Sequence, residues 1–152
     1  MATADVQARK DLLNAIAGAI DALGGALASL GAAYEQLDEQ QADRLEDQLF
    51  RPLQRGYGRA KRTHAEFAAR HGLAGRDFRA ATPGVASTGV KGFIENAVED
   101  VEQAEHDLVS LQDSLTPVEY GDPELRAGLA EVRQAIAAFA AHAHAFLRTF
   151  GR

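Results

Sequence analysis

The sequence predicts an all-α fold, an antiparallel up-down bundle of four long helices with a kinked second helix. Three observations point there. Apolar residues recur with alternating three-then-four, coiled-coil spacing in three separate segments; no alternating strand pattern fits any of them; and caps and breakers divide the chain into stretches of similar length. With 152 residues, 46% hydrophobic and 25% charged, the chain suits one domain over residues 1–152 with a sizeable core. No repeat beyond the heptads and no low-complexity tail marks a second domain.

The first helix carries the seam Leu13, Ile16, Ile20, Leu23, Leu27, Leu30, Tyr34, Leu37. Ala and Gly (Ala15, Ala17, Ala19, Ala22, Gly24, Gly25, Ala26, Ala28, Gly31) occupy most of its circumference. Two readings are open: a central helix packed closely against two neighbours of its own bundle, or a self-association surface with close backbone contact. From Ile16 to Tyr34 the only charge is Asp21. That stretch approaches membrane length, but a central Asp costs roughly 2.5–3.5 kcal/mol on insertion, and Ala and Gly offer little to offset it. No membrane partner is expected.

The first turn is the least marked boundary. A turn around residues 38–43 gives four helices of about 27–34 residues each, as an up-down bundle requires. Asp43 with Glu46 supplies a weak capping signal, and one helix running unbroken to residue 50 is the alternative.

Helix two places Leu45, Leu49, Leu53, Ala60, His64 and Phe67 on one face. Pro52 lacks the amide that bonds back to Gln48, and Gly56 and Gly58 weaken the next turns, so a kink or break is expected at residues 50–58. Gly72 ends the helix, and residues 72–88 form the one long connection.

Helix three carries Val90, Ile94, Ala97, Val101, Ala104, Leu108, Leu111 and Leu115, with Ser87 or Thr88 as its cap and Thr116–Pro117 as its end. Helix four starts at Asp122–Pro123, a cap followed by a proline at the first helical position. Its seam is Leu125, Leu129, Val132, Ile136, Phe139, Ala143, Phe146, Phe150.

Charge is the feature that bears on partners. Residues 51–79 hold eight cations against Glu66 and Asp77, a net of +6, whereas residues 95–124 hold ten carboxylates and no Lys or Arg, a net of −10. In the seam register Glu95, Glu99 and Glu102 project away from the core of helix three, and Arg51, Arg55 and Arg62 project away from that of helix two. The two stripes are not expected to meet within one subunit. Solvated helix faces are the simpler explanation, since exposed charges contribute little to stability. Docking of complementary protein surfaces, including like subunits, is the functional one, and it makes these six residues the candidate partner-binding set.

Other chemistry finds little footing. The run Arg55-Gly56-Tyr57-Gly58-Arg59 offers cations and one aromatic to a nucleic acid, but one aromatic is no stacking platform and the net charge is −6. A ferritin-like site needs Glu-x-x-His; the nearest pair here, Glu102 and His106, is spaced by four. Folding the helices back on their turns brings His64, Glu95, Glu99, His142 and His144 to one level, where only His64 and His142 take inward positions. These two mark an alternative metal or small-ligand site. Two histidines do not make a catalytic centre, so no metal or other cofactor is expected.

The run Gly84 to Lys91 (GVASTGVK) has P-loop glycine spacing without the lysine directly after the second glycine, the following Ser or Thr, or the preceding strand. No serine-nucleophile elbow is present, and the absence of cysteine excludes thiol chemistry. The sequence therefore predicts a non-enzymatic, self-associating interaction or structural protein. With no secretory signal at the N-terminus it is placed in the cytoplasm.

Overall fold

The computed structural model describes residues 2–79, 81–83 and 89–150, and all the regular structure among them is helical. Helix α1 spans Ala2–Tyr34, α2 Glu39–Leu45 and α3 Arg51–Arg70, with a π-helical turn Glu46–Phe50 joining the last two. After them come α4 Gly89–Asp113, the single turn α5 Thr116–Glu119, α6 Pro123–Ile136 and α7 Phe139–Phe150. Helix α1 packs along α4 and against α3; α3 lies along α6; α7 rests on α4 and on the π turn.

The apolar seams form the core. Ile16, Ile20, Leu23 and Leu30 of α1 are fully buried together with Leu45, Leu49, Leu53 and Phe67, with Ile94, Ala97, Val101 and Ala104, and with Leu129, Val132, Ile136 and Phe146. Of the seam residues only Tyr34 and Leu115 are exposed, at 43% and 67%: Tyr34 is the last residue of α1, and Leu115 lies beyond the end of α4 at Asp113.

Several boundaries differ from expectation, each for a local reason. The first turn falls at Glu35–Asp38 rather than 38–43, because Asp38 is the cap: its carboxylate accepts the Gln41 amide at 2.8 Å, and Gln41 completes the Asp-x-x-Gln signature. Asp43 lies inside α2. The expected kink at 50–58 appears upstream as the π turn, in which the Arg51 amide bonds back to the Glu46 carbonyl. This wider turn relieves the crowding that Pro52 imposes on the preceding turn, so α3 runs unbroken through Gly56 and Gly58. The fourth seam is divided into α6 and α7 at Ala137–Ala138, where its packing changes from α3 to α4 and the π turn.

Two ends are as predicted. Gly72, at φ +66°, closes α3: the Leu73 amide reaches the Ala68 carbonyl at 2.8 Å and the Gly72 amide the Ala69 carbonyl at 3.3 Å, the paired bonds of a Schellman motif. Asp122 caps α6, accepting the Leu125 amide at 2.7 Å. The expected cap of α4 at Ser87 or Thr88, and most of the run from Gly84 to Lys91, lie outside the described residues.

The small residues of α1 have neighbours within the chain. A side chain at Gly24 would meet the Tyr57 ring at 3.4 Å, and one at Gly25 would meet the Asp100 carboxylate at 2.9 Å. Both glycines serve the approach of α3 and α4 to α1. By length and composition α1 is also apolar enough to cross a membrane, with mean hydropathy 1.5 over its best window, 44% of which is buried here.

Candidate functional site

Arg51, Arg55 and Arg62 on α3 and Glu95, Glu99 and Glu102 on α4 are all exposed, as the seam register requires. On each helix residues between them turn inward: Leu53 and Ala60 on α3, and Ala97, Val98 and Val101 on α4. The sequence thus places each charged stripe opposite an apolar one.

The basic stripe borders a concave surface. Arg55, Arg59, Lys61 and Arg62 line a groove of about 630 Å³ between α3 and α6, with Gln54 and Gly58 from α3 and Glu131 and Ala135 from α6. The groove exists because the two helices approach closely. A methyl at Gly56 would lie 2.9 Å from Ile136 Cγ2, and one at Gly128 would overlap the Thr63 side chain. Neither role is visible in the sequence, where Gly56 reads as a helix weakener and Gly128 carries no signal.

Electrostatic ties cross the same helix pair. Arg59 pairs with Glu131, and Arg70 forms a two-pronged pair with Asp122 at 2.8 and 2.9 Å. His71 Nε2 stands 3.0 Å from the same carboxylate. Burial alone would raise the Asp122 carboxyl; the Arg70 hydrogen bonds, the Leu125 amide and His71 outweigh it and hold the group at about 2. Asp122 belongs to the acidic segment and Arg70 to the basic one, so the two segments touch here, whereas the stripes themselves form no ion pair with each other among the described residues. The cap residue of α6 lies next to the last turn of α3, within an arginine's reach.

Lys61 lies over the Tyr57 ring, 4.4 Å from its centroid, which holds the ammonium at the lip of the groove. The acidic face of α4 is plainer. Its described ion pair is the 3.9 Å contact of Lys91 with Glu95, one turn away on the same helix. Asp100, beside this face, is half-buried against Gly25; burial, and then Glu99, push its carboxyl up.

The histidines do not assemble. His64 is 3% exposed and packs at the start of the connection after α3, whereas His142 lies exposed on α7. Their levels differ because Thr63, next to His64, meets Gly128 of α6, fourteen residues before His142. That separation is about 20 Å along a helix. Among the described residues no three His, Asp or Glu side chains converge as metal donors.

His64 has other company. Phe78 stands edge-on to it at 5.2 Å, Arg76 lies 4.8 Å over the Phe78 ring, and Arg76 reaches back to Asp21 of α1 at 3.0 Å. The chain from Leu73 to Phe78 is thereby strapped across α1 and α3. Its signal in the sequence is a lone aromatic residue, Phe78, in a connection made mostly of small residues.

Comparison of the chain with protein-family models, with curated proteins and with solved structures finds no match. Any functional reading stands on these surfaces alone.

Proposed function

We propose that the protein is a non-enzymatic interaction module that associates with itself, the acidic face of α4 of one copy docking into the basic α3–α6 groove of another. The observation that carries this reading is a matched span: Glu95 to Glu102 on α4 and Arg55 to Arg62 on α3 each cover two helical turns, about 10 Å. One set rims a groove and the other stands on a convex helix, so shape and charge are complementary.

The packing pattern supports contact between copies. Helix α1 neighbours α3 and α4, and α6 with α7 neighbours both as well. We read this as a four-helix bundle with one crossover in place of the expected up-down order, α2, the π turn and α3 being its second member and α6 with α7 its fourth. Helices α3 and α4 both run antiparallel to α1, as the contacts of Gly24 with Tyr57, of Leu13 with His64, of Gly25 with Asp100 and of Asn14 with Ser110 require. The connection after α3 returns along α1 through Arg76 and Phe78. In such a ring α3 and α4 are diagonal, and their outer faces point apart. A contact of this kind is head-to-tail and leaves one face of each terminal copy unused, so it builds chains or closed rings. Gly24 and Gly25 of α1 are engaged by Tyr57 and Asp100, which favours the charged faces over α1 as the docking surface.

The net charge of −6 opposes association at long range, but within a Debye length of about 10 Å at 0.1 M salt the facing patches dominate. We place this assembly in the cytoplasm. Sedimentation equilibrium at tens of micromolar protein tests it: a mass above one chain that falls as salt rises supports the reading. A strict monomer at low salt overturns it.

A further inference from the structure

Away from the charged faces, a second candidate site lies under the strap over His64. A cleft of about 240 Å³ opens between α1, α3 and the chain at residues 73–76. Leu13 and Ala17 of α1 and Leu73 of the strap supply its apolar surface, and the His64 imidazole forms part of the lining. Lys10, Asn14 and Arg76, all exposed, stand around the opening.

His64 is the informative residue. It is only 3% exposed, and its Nδ1 has no hydrogen-bond partner among the described residues. A buried polar atom left unpaired is destabilising, and a leucine of similar size would fill the place without that cost. The other buried polar side chain on the same helix, Thr63, meets its need by donating to the Arg59 carbonyl at 2.8 Å. The difference is that His64 faces a cleft with apolar walls and cationic edges. Burial, and then the Arg76 guanidinium, hold the imidazole below its usual range against the Leu13 carbonyl, which raises it; at neutral pH the ring is therefore uncharged, and with its N–H turned to Leu13 the unpaired Nδ1 offers a lone pair.

We propose that this cleft binds a small organic carboxylate carrying a second polar group, its carboxylate held by Lys10 and Arg76, its body against Leu13, Ala17 and Leu73, and its polar group hydrogen-bonded to His64 Nδ1. The volume equals that of about eight liquid waters, which suits a molecule of roughly five to ten heavy atoms. Each element of the ligand answers a group in place. The rim cations require an anion, the walls an apolar body, and the unpaired nitrogen a donor set back from the charge. Arg76 already pairs with Asp21, so a bound carboxylate would share that guanidinium and fasten the strap more firmly to α1. The site is separate from the docking faces, and its occupancy does not depend on self-association.

The test uses the full chain with acetate, lactate and 4-hydroxybenzoate, and with lactamide and 4-hydroxybenzamide as uncharged controls. Ring nitrogen chemical shifts of His64 are followed by NMR. We expect saturable shifts with at least one hydroxy acid below about 10 mM, and binding about tenfold weaker for acetate and for the matching amide. Arg76→Gln should weaken binding by about tenfold while the helical circular dichroism is retained. His64→Leu should abolish the preference for the hydroxylated acid and raise the melting temperature, since it removes the unpaired nitrogen. No saturable shift with any acid, equal binding of acid and amide, or full affinity in Arg76→Gln would each overturn the proposal. Should His64→Leu fail to fold, the Arg76→Gln result decides.

Discussion

The α1–α4 pair and the α3–α6 pair are built by opposite means. Along α1 and α4 the contact is an aliphatic seam of Ile16, Ile20, Leu23, Ile94, Val101 and Leu108, with no ion pair between the two helices among the described residues. Between α3 and α6 the contact is narrowed by Gly56 and Gly128 and tied across its outer edge by Arg59–Glu131 and Arg70–Asp122. The first pair is held by burial and leaves its charges to solvent. The second draws part of its charge into the fold and turns the rest into a groove. A convex acidic face and a concave basic one arise from that contrast, and self-docking is its proposed consequence.

The contrast breaks most severely at Gly128. Gly128→Val drives a branched side chain into Thr63 and parts α3 from α6, with an expected loss of about 3 kcal/mol, read from urea unfolding. Removal of the clamp at the other end comes next. Asp122→Ala loses a helix cap together with the partner of Arg70 and His71, about 2 kcal/mol at neutral pH.

The wild-type clamp is also pH-dependent. Asp122 titrates near 3.8 when unfolded and at about 2 when folded, so its contribution is complete above pH 3.8 and is lost as pH falls toward 2. Asp122→Ala should flatten the stability profile in that window; an unchanged profile contradicts the clamp.

His64, where α3 meets α1, gives a milder effect of the same sign in a higher window. Its folded value lies below the ordinary 6.5, pushed by burial and then by Arg76 against the opposing Leu13 carbonyl. Below pH 6.5 the unfolded chain takes up a proton that the folded chain resists, so stability should decline as pH drops through 6.5. His64→Leu should remove that slope. The smallest effect is a gain. A methyl placed on Gly18 of α1 would have nothing within 4 Å, so Gly18→Ala should stabilise by about 1 kcal/mol, the helix-propensity difference. A loss there would mean that α1 and α4 pack more tightly than the seam account allows.

How much of this is legible in the sequence depends on the range of each interaction. The seams are readable because helical periodicity is local: Ile20, Val101 and Ile136 are all buried. The caps at Gly72 and Asp122 are readable for the same reason. Asp38 is equally local, since Gln41 stands three residues on, yet the weaker Asp43–Glu46 pair drew the expected turn too far along the chain. The π turn is half readable: Pro52 announces a disturbance, but its direction depends on which carbonyl must move. Gly56, Gly128 and the Arg70–Asp122 clamp join residues that are distant in the chain, and no spacing announces them. The exposure of the six stripe residues is legible from the register. The groove beside them is not, because Glu131 and Ala135 reach it from another helix.

The central claim, that the acidic face of one copy fits the basic groove of the next, is tested most directly by mixing two variants. Glu95→Lys/Glu99→Lys/Glu102→Lys keeps only the groove, and Arg55→Glu/Lys61→Glu/Arg62→Glu keeps only the acidic face. Sedimentation of each alone should show a monomer, and their equimolar mixture should form a one-to-one pair that ends there, because each copy retains a single usable face. Two variants that associate alone as the unaltered chain does, or a mixture that stays monomeric, would contradict it.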